Sequence, residues 1–173
     1  DTDKNADKVE LTNTQKSAIE QINNSDKSVV LLHGVTGSGK TEVYMSLIEN
    51  ALKSGKTAIA LVPEISLTPQ ILRVFRSRFG DDIAMLHSGL SDGERYDEWR
   101  RIYDADAKIV VGARSAIFAP LENLGIIIID EEHDSSYISE SNPRFRTLEV
   151  AEFRAKYNNC KVVLGSATPS VES

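Results

Sequence analysis

Six short apolar runs, at positions 28–33, 57–62, 82–86, 108–111, 125–129 and 161–164, alternate with longer amphipathic stretches. Most of the runs are rich in valine and isoleucine and show no polar alternation, the pattern of strands covered on both faces. Helical periodicity fills the stretches at 13–21, 40–53, 69–79, 92–103 and 146–157. Thr12 with Gln15 and Ser91 with Glu94 fit capping boxes, and Thr68 before Pro69 fits an N-cap followed by proline at the first helical position. Strand–helix–strand units repeated this often predict right-handed crossovers and an open, mainly parallel α/β sheet with helices on both faces. Ligands of such sheets bind beyond the carboxyl ends of the strands, so chemistry is expected in the loops that follow them.

A chain of 173 residues corresponds to one domain on a prior of about 150 residues per domain. The polar first ten residues read as a linker and 11–173 as the folded lobe. The longest apolar stretches, 29–32, 58–62 and 126–129, are far short of the roughly 20 residues that span a bilayer, so no membrane association is expected. No charged-then-apolar leader opens the chain, and its one cysteine, Cys160, precludes an internal disulfide. A reducing, cytoplasmic setting is the expectation. One cysteine and three histidines also cannot build a four-ligand zinc site within this chain. The net charge of −6 argues against gripping nucleic acid by bulk attraction, so any phosphate binding must be local.

The run at 28–33 opens directly onto Gly34-Val35-Thr36-Gly37-Ser38-Gly39-Lys40-Thr41, a full match to G-x-x-x-x-G-K-[ST] between a strand and a helix. Glycines let the backbone curl with positive φ, so that successive N–H groups cradle a nucleotide's phosphates beside the positive end of the following helix. Lys40 is then expected to reach the β- and γ-phosphates, and the Thr41 hydroxyl to ligate Mg²⁺. A second signature closes the run at 125–129, where Asp130, Glu131, Glu132 and His133 follow four isoleucines. Clustered acids repel one another unless a cation sits among them. Asp130 suits the Mg²⁺ and Glu131 suits orienting or deprotonating an attacking water. A solvated acidic loop would explain this stretch alone; paired with the phosphate loop, the four-residue form suggests a nucleic-acid-driven motor.

Weaker signals lie at the same edge. Ser166-Ala167-Thr168 follows the last run, and its hydroxyls could sense nucleotide through the acidic motif or simply bond a local turn. Pro63 and Ser66, in PEISLTPQ (63–70), and Arg114 and Ser115, in GARS (112–115), could hold a nucleic-acid backbone or serve as ordinary turn and cap residues. Gln15 could bond an adenine edge or complete its capping box. Arg73, Arg76 and Arg78 read as a solvated helix face, while Trp99, Phe75 and Phe79 read as core. His33 and His87 close strands, where they could satisfy backbone groups. Cys160 reads as a small buried or half-buried residue.

The stretches LLHGVTGSGKTEVYM (31–45), LVPEISLTPQ (61–70), LHSGLSDGERYDEW (86–99), VGARSAIFAP (111–120), IIIIDEEHDSSY (126–137) and LGSATPSVES (164–173) together resemble the first motor lobe of the primosomal replication-restart helicases, a superfamily 2 DExH family. That resemblance implies a RecA-like P-loop NTPase lobe of an ATP-dependent 3′-to-5′ DNA helicase. ATP and Mg²⁺ would be its cofactors, and its partners would be forked or single-stranded DNA, primosome proteins and single-strand-binding proteins. His133, Ser166 and Thr168 would couple nucleotide state to DNA. In that family an aromatic-rich loop after the acidic motif links DNA to hydrolysis. Here it offers Tyr137 and Phe145 for stacking, but Ile138, Phe145 and Leu148 stand where the family has lysine, tyrosine and arginine. The family also carries a second lobe, a zinc module and an N-terminal DNA-binding region, so the chain reads as an excised lobe that hydrolyses ATP poorly alone. Two other readings stay open: an RNA-unwinding DExH enzyme, and a non-catalytic nucleotide-binding docking module.

Overall fold

A computed structural model of the chain describes residues 10–32, 35, 38–131 and 143–166. Among these described residues the strands are β1 (Val29–Leu32), β2 (Thr57–Leu61), β3 (Ile83–Leu86), β4 (Ile109–Gly112), β5 (Leu124–Glu131) and β6 (Lys161–Ser166). Five α-helices intervene: α1 (Asn13–Asn24), α2 (Ser38–Lys53), α3 (Pro69–Phe79), α4 (Asp92–Tyr103) and α5 (Pro143–Asn158). Three 3-10 turns, Glu64–Ser66, Gly80–Asp82 and Arg114–Phe118, complete the order. The helix starts follow the sequence signals. Thr12 and Ser91 each close a full capping box, and the Thr68 hydroxyl accepts from the Ile71 amide with Pro69 in the first turn. Each such cap is worth about 1 kcal/mol.

Every strand pair is parallel, in the order β1-β6-β5-β2-β4-β3. Side chains alternate across the pleat, so β5 sends Ile126 and Ile128 to one face and Ile127 and Ile129 to the other. The first face is covered by α1, α2 and α3, with Val43, Ile48 and Phe75 in its core; the second by α4, α5 and the Arg114–Phe118 turn, with Ile102, Ile117 and Ala151. Both faces being buried is why the strands carry no polar alternation. Phe75 and Phe79 stack with centroids 6.4 Å apart, and Trp99 packs against the second core, as the helical spacing predicts. No described helix is long and apolar enough to cross a membrane.

Four details differ from the sequence reading. β5 runs on to Glu131, because β6 continues the ladder through Asp130–Gly165 and Glu131–Ser166; the first two acids therefore belong to the strand rather than to the loop after it. Helix α2 begins at Ser38 and α5 at Pro143, where proline's fixed φ suits a first helical turn. Gly39 is already helical and does not have positive φ; among the described glycines only Gly55 and Gly80 do. A side chain at Gly39 would press within 3.0 Å of Val35 Cγ1, so close approach is what it needs to be glycine for. Finally, Arg78 is not part of a solvated face. It pairs with Glu49 and, at 3.3 Å, with Glu42, tying α3 to α2, while Arg73 and Arg76 remain exposed.

Candidate nucleotide and nucleic-acid site

The strand order decides what can meet. β1 delivers the phosphate loop, β5 the acids and β6 the Ser166 segment, and these three are neighbours with β6 in the middle. Leu32, Gly165 and Asp130 sit level in one row across the carboxyl edge. Helix α2 then turns Lys40 back over this row, where its ammonium lies 3.0 Å from Asp130 Oδ1. Lys40 is buried, at 7% side-chain exposure, and Asp130 is 18% exposed, so the pair is shielded from water on most sides. A lone ammonium at that depth would be costly; its partner is the carboxylate the sequence assigned to the same chemistry.

A third residue joins them. The Tyr44 hydroxyl donates to Asp130 Oδ1 at 2.6 Å. Burial first, then the neighbouring negative charge and hydrogen bond, push the ionisation of this phenol far above its ordinary range. Sequence reasoning did not single out Tyr44. The available signal was its spacing, since position 44 follows Lys40 by one helical turn and shares its face.

Gln15 completes its capping box: its Oε1 accepts from the Thr12 amide at 2.8 Å, and its own amide donates to Thr12 Oγ1 at 3.2 Å. Its Nε2 is directed elsewhere, donating to the Gly39 carbonyl at 3.1 Å. The cap of α1 is thereby fastened to the end of the phosphate loop. Thr41 lies in the first turn of α2 beside Lys40, half-buried. A hydroxyl and a carboxylate are hard oxygen donors, and one carboxylate plus substrate phosphates is the coordination Mg²⁺ favours, so this donor set fits that ion.

Beyond Asp130 a cleft of about 360 Å³ opens between the ends of β2, β4 and β5, lined among others by Pro63, Ile65, Arg114, Asp130 and Thr147. Pro63 and Arg114, suggested from different motifs, are thus brought to one cleft with the acidic residue. Ser66 is half-buried in the Glu64–Ser66 turn, its amide bonded to the Pro63 carbonyl at 2.8 Å. Ser115 is exposed and borders an adjoining hollow with Arg114, Phe118 and Arg146. Thr147, buried at the cleft wall, was not singled out from the sequence. Leu148, which stands where the family has arginine, packs against the second core instead.

Other contacts brace the loops. Ser88 holds the Glu64 carboxyl below the usual carboxylate range, first through its side chain and then through its amide, which donates to Glu64 Oε1 at 2.9 Å. His87 Nδ1 accepts from the Gly89 amide at 3.2 Å, the backbone-satisfying role expected of it. Arg154 of α5 donates to the carbonyls of Ile117, Ala119 and Leu121 at 2.7, 2.8 and 3.0 Å, clamping the segment that carries Arg114 and Ser115. Of the remaining expected residues, Glu131 and Ser166 face each other in the β5–β6 ladder, Ser38 opens α2 and Phe145 lies in the first turn of α5. His33, Gly34, Thr36, Gly37, His133, Tyr137 and Thr168 lie outside the described residues.

Comparison with known proteins follows the same outline. The family model of the DEAD/DEAH box helicases matches residues 12–173. The replication restart protein PriA of Bacillus subtilis (strain 168) is 58% identical over 98% of the chain and 22% of its own length. PriA of Synechocystis is 52% identical over 95% of the chain and 20% of its own. The chain therefore spans about a fifth of the length of these relatives. A solved structure of RecG bound to a three-way DNA junction superposes with a TM-score of 0.65 at 27% identity, covering 93% of this chain and 21% of that one.

Proposed function

This chain belongs to the DEAD/DEAH box helicase family, and from that premise we propose that it is the ATP-binding lobe, residues 11–173, of a 3′-to-5′ DNA helicase acting in replication restart. One observation carries the proposal: the lysine of the phosphate loop and the first acid of the DEEH stretch are in contact, at 3.0 Å, on the edge where three loop-bearing strands end. The similarity to PriA proteins over nearly the whole chain supports the replication-restart assignment.

In this reading Lys40 leaves Asp130 for the β- and γ-phosphates as ATP arrives, while the amides from Gly34 to Gly39 wrap the phosphate tail. Thr41 and Asp130 hold Mg²⁺, which when bound supplies charge stabilisation to the transferring phosphoryl group. Glu131 orients the attacking water. Gln15 keeps the loop's exit fixed to α1 and bonds the edge of the base. His133, Ser166 and Thr168 relay nucleotide state, and Pro63, Ser66, Arg114 and Ser115, with Tyr137 and Phe145, hold a DNA strand chiefly by its backbone. The cleft shared by Asp130, Pro63 and Arg114 gives that relay a short path. Primosome proteins, single-strand-binding proteins, a cytoplasmic setting and a zinc module elsewhere in the whole protein accompany the same assignment.

The test is ATP hydrolysis by the full-length protein with and without single-stranded DNA. Lys40→Ala should abolish nucleotide binding, and Glu131→Gln should retain binding while losing turnover. The lobe alone should hydrolyse ATP poorly, since an arginine finger from elsewhere is worth about 10³–10⁵ in rate. Stimulation by RNA but not DNA would overturn the DNA assignment. Brisk DNA-stimulated turnover by this lobe alone would overturn its dependence on a second one.

A further inference from the structure

Tyr44 and Lys40 project from the same face of α2 and converge on one atom, Asp130 Oδ1. A buried phenol needs a hydrogen-bond partner, and many would serve if its task were to fill the core. The partner here is the carboxylate at the end of β5, and the fold makes room for it. Gly165 stands opposite Asp130 in the β5–β6 ladder. A Cβ at 165 would collide with the Tyr44 hydroxyl, stand 2.9 Å from Cζ and 3.1 Å from Asp130 Oδ1. Three separate segments of the sequence thus contribute to this one contact: a tyrosine, an aspartate and the absence of a side chain.

We propose that Tyr44 is a positioning residue that keeps the Asp130 carboxylate oriented toward the divalent cation after Lys40 has transferred to the nucleotide's phosphates. The inference rests on the nucleotide reading of Lys40 and Asp130. The two donors differ in what they can do. A lysine ammonium rides on a flexible four-carbon stem and can swing between carboxylate and phosphate. A tyrosine ring has two side-chain torsions, and this one is 3% exposed, so it stays where it is. Without it, Asp130 would lose its remaining side-chain donor among the described residues when Lys40 departs, and its terminal torsion is intrinsically broad. Hydrogen bonds to metal-ligating carboxylates fix their orientation, and losing such a partner typically costs about 10–100-fold in metal affinity.

The experiment uses the full-length protein carrying this lobe and a fluorescent ADP, titrated with and without Mg²⁺. Tyr44→Phe should bind metal-free ADP within about twofold of the parent, while its half-saturating Mg²⁺ concentration rises at least about tenfold. Mn²⁺ affinity of the ADP complex, followed by electron spin resonance, should fall in parallel. Gly165→Ala keeps every atom of Tyr44 and should produce the same Mg²⁺ defect by pushing the hydroxyl away. Tyr44→Phe combined with Gly165→Ala should be little worse than either alone, because both remove one contact. An unchanged Mg²⁺ requirement in a folded Tyr44→Phe or Gly165→Ala protein overturns the proposal, as does an equal loss of metal-free ADP binding. Asp130→Ala separates the two levels. If it shifts the Mg²⁺ requirement and Tyr44→Phe does not, the positioning role fails alone; if Asp130→Ala shifts nothing, the metal assignment of Asp130 fails with it.

Discussion

Gln15 and Gly39 are bonded across 24 positions of sequence, the side-chain amide of one to the backbone carbonyl of the other at 3.1 Å. The residue that closes the first helix cap therefore also fixes the end of the phosphate loop. Gln15→Ala removes the capping box and this tie together. It should cost about 1–2 kcal/mol of stability by chemical denaturation. Nucleotide affinity should fall as well, measured by equilibrium titration. If Gln15 also reads the base, the preference for ATP over GTP falls with it; an unchanged preference confines Gln15 to the scaffold.

Lys40 and Asp130 neutralise each other, so a nucleotide must compete with the carboxylate for the ammonium. Asp130→Ala frees Lys40, and affinity for metal-free ADP should rise. An ion pair worth about 1 kcal/mol corresponds to roughly fivefold. The gain from adding Mg²⁺ should vanish in the same variant. Isothermal titration with and without EDTA reads both changes, and their opposite signs set this variant apart from one that is merely damaged.

Arg154→Ala leaves three backbone carbonyls without their charged donor. Loss of such bonds should lower stability by about 2–3 kcal/mol. The thermal midpoint would then drop by roughly 5–10 °C for a chain of this size. Arg154→Lys, which cannot reproduce the planar fork, should recover only part of it. If DNA affinity also falls in the full-length protein, the clamp on the Arg114–Phe118 turn contributes to binding.

Cys160 gives the pH dependence with the plainest sign. Burial pushes its thiol up, against the smaller opposing pull of Lys56 and Arg154. A folded value above the unfolded one means that the thiol's contribution to stability is full below the ordinary thiol range, near roughly pH 8.5, and is lost as pH rises through the folded value. Denaturation of the parent and of Cys160→Ala at pH 7 and pH 10 should show a larger alkaline loss in the parent. Alkylation of the native protein at pH 7.5 should be slow beside that of the denatured chain.

Most of the architecture was legible because it follows from two periodicities. Runs such as IIII at 126–129 have nowhere to be except between two helix layers, and the capping signals at Thr12, Thr68 and Ser91 mark where those helices start. Proximity of Lys40 to Asp130 was legible from motif logic. The hydrogen bond from Tyr44 to Asp130 was not, because the space for it depends on Gly165, whose relation to Asp130 exists only once β5 and β6 are in register. Arg78 was misread for a similar reason: its carboxylate partners, Glu42 and Glu49, sit on another helix, and no spacing within α3 reveals them.

The place of β6 between β1 and β5 has a temporal meaning. On a ribosome the phosphate-loop residues and the acids emerge long before Lys161–Ser166, yet among the described strands β1 pairs with β6 alone. A nascent chain halted short of Lys161 would lack the strand that sets β1 level with β5, so Lys40 and Asp130 gain their common row only once Lys161–Ser166 has left the exit tunnel.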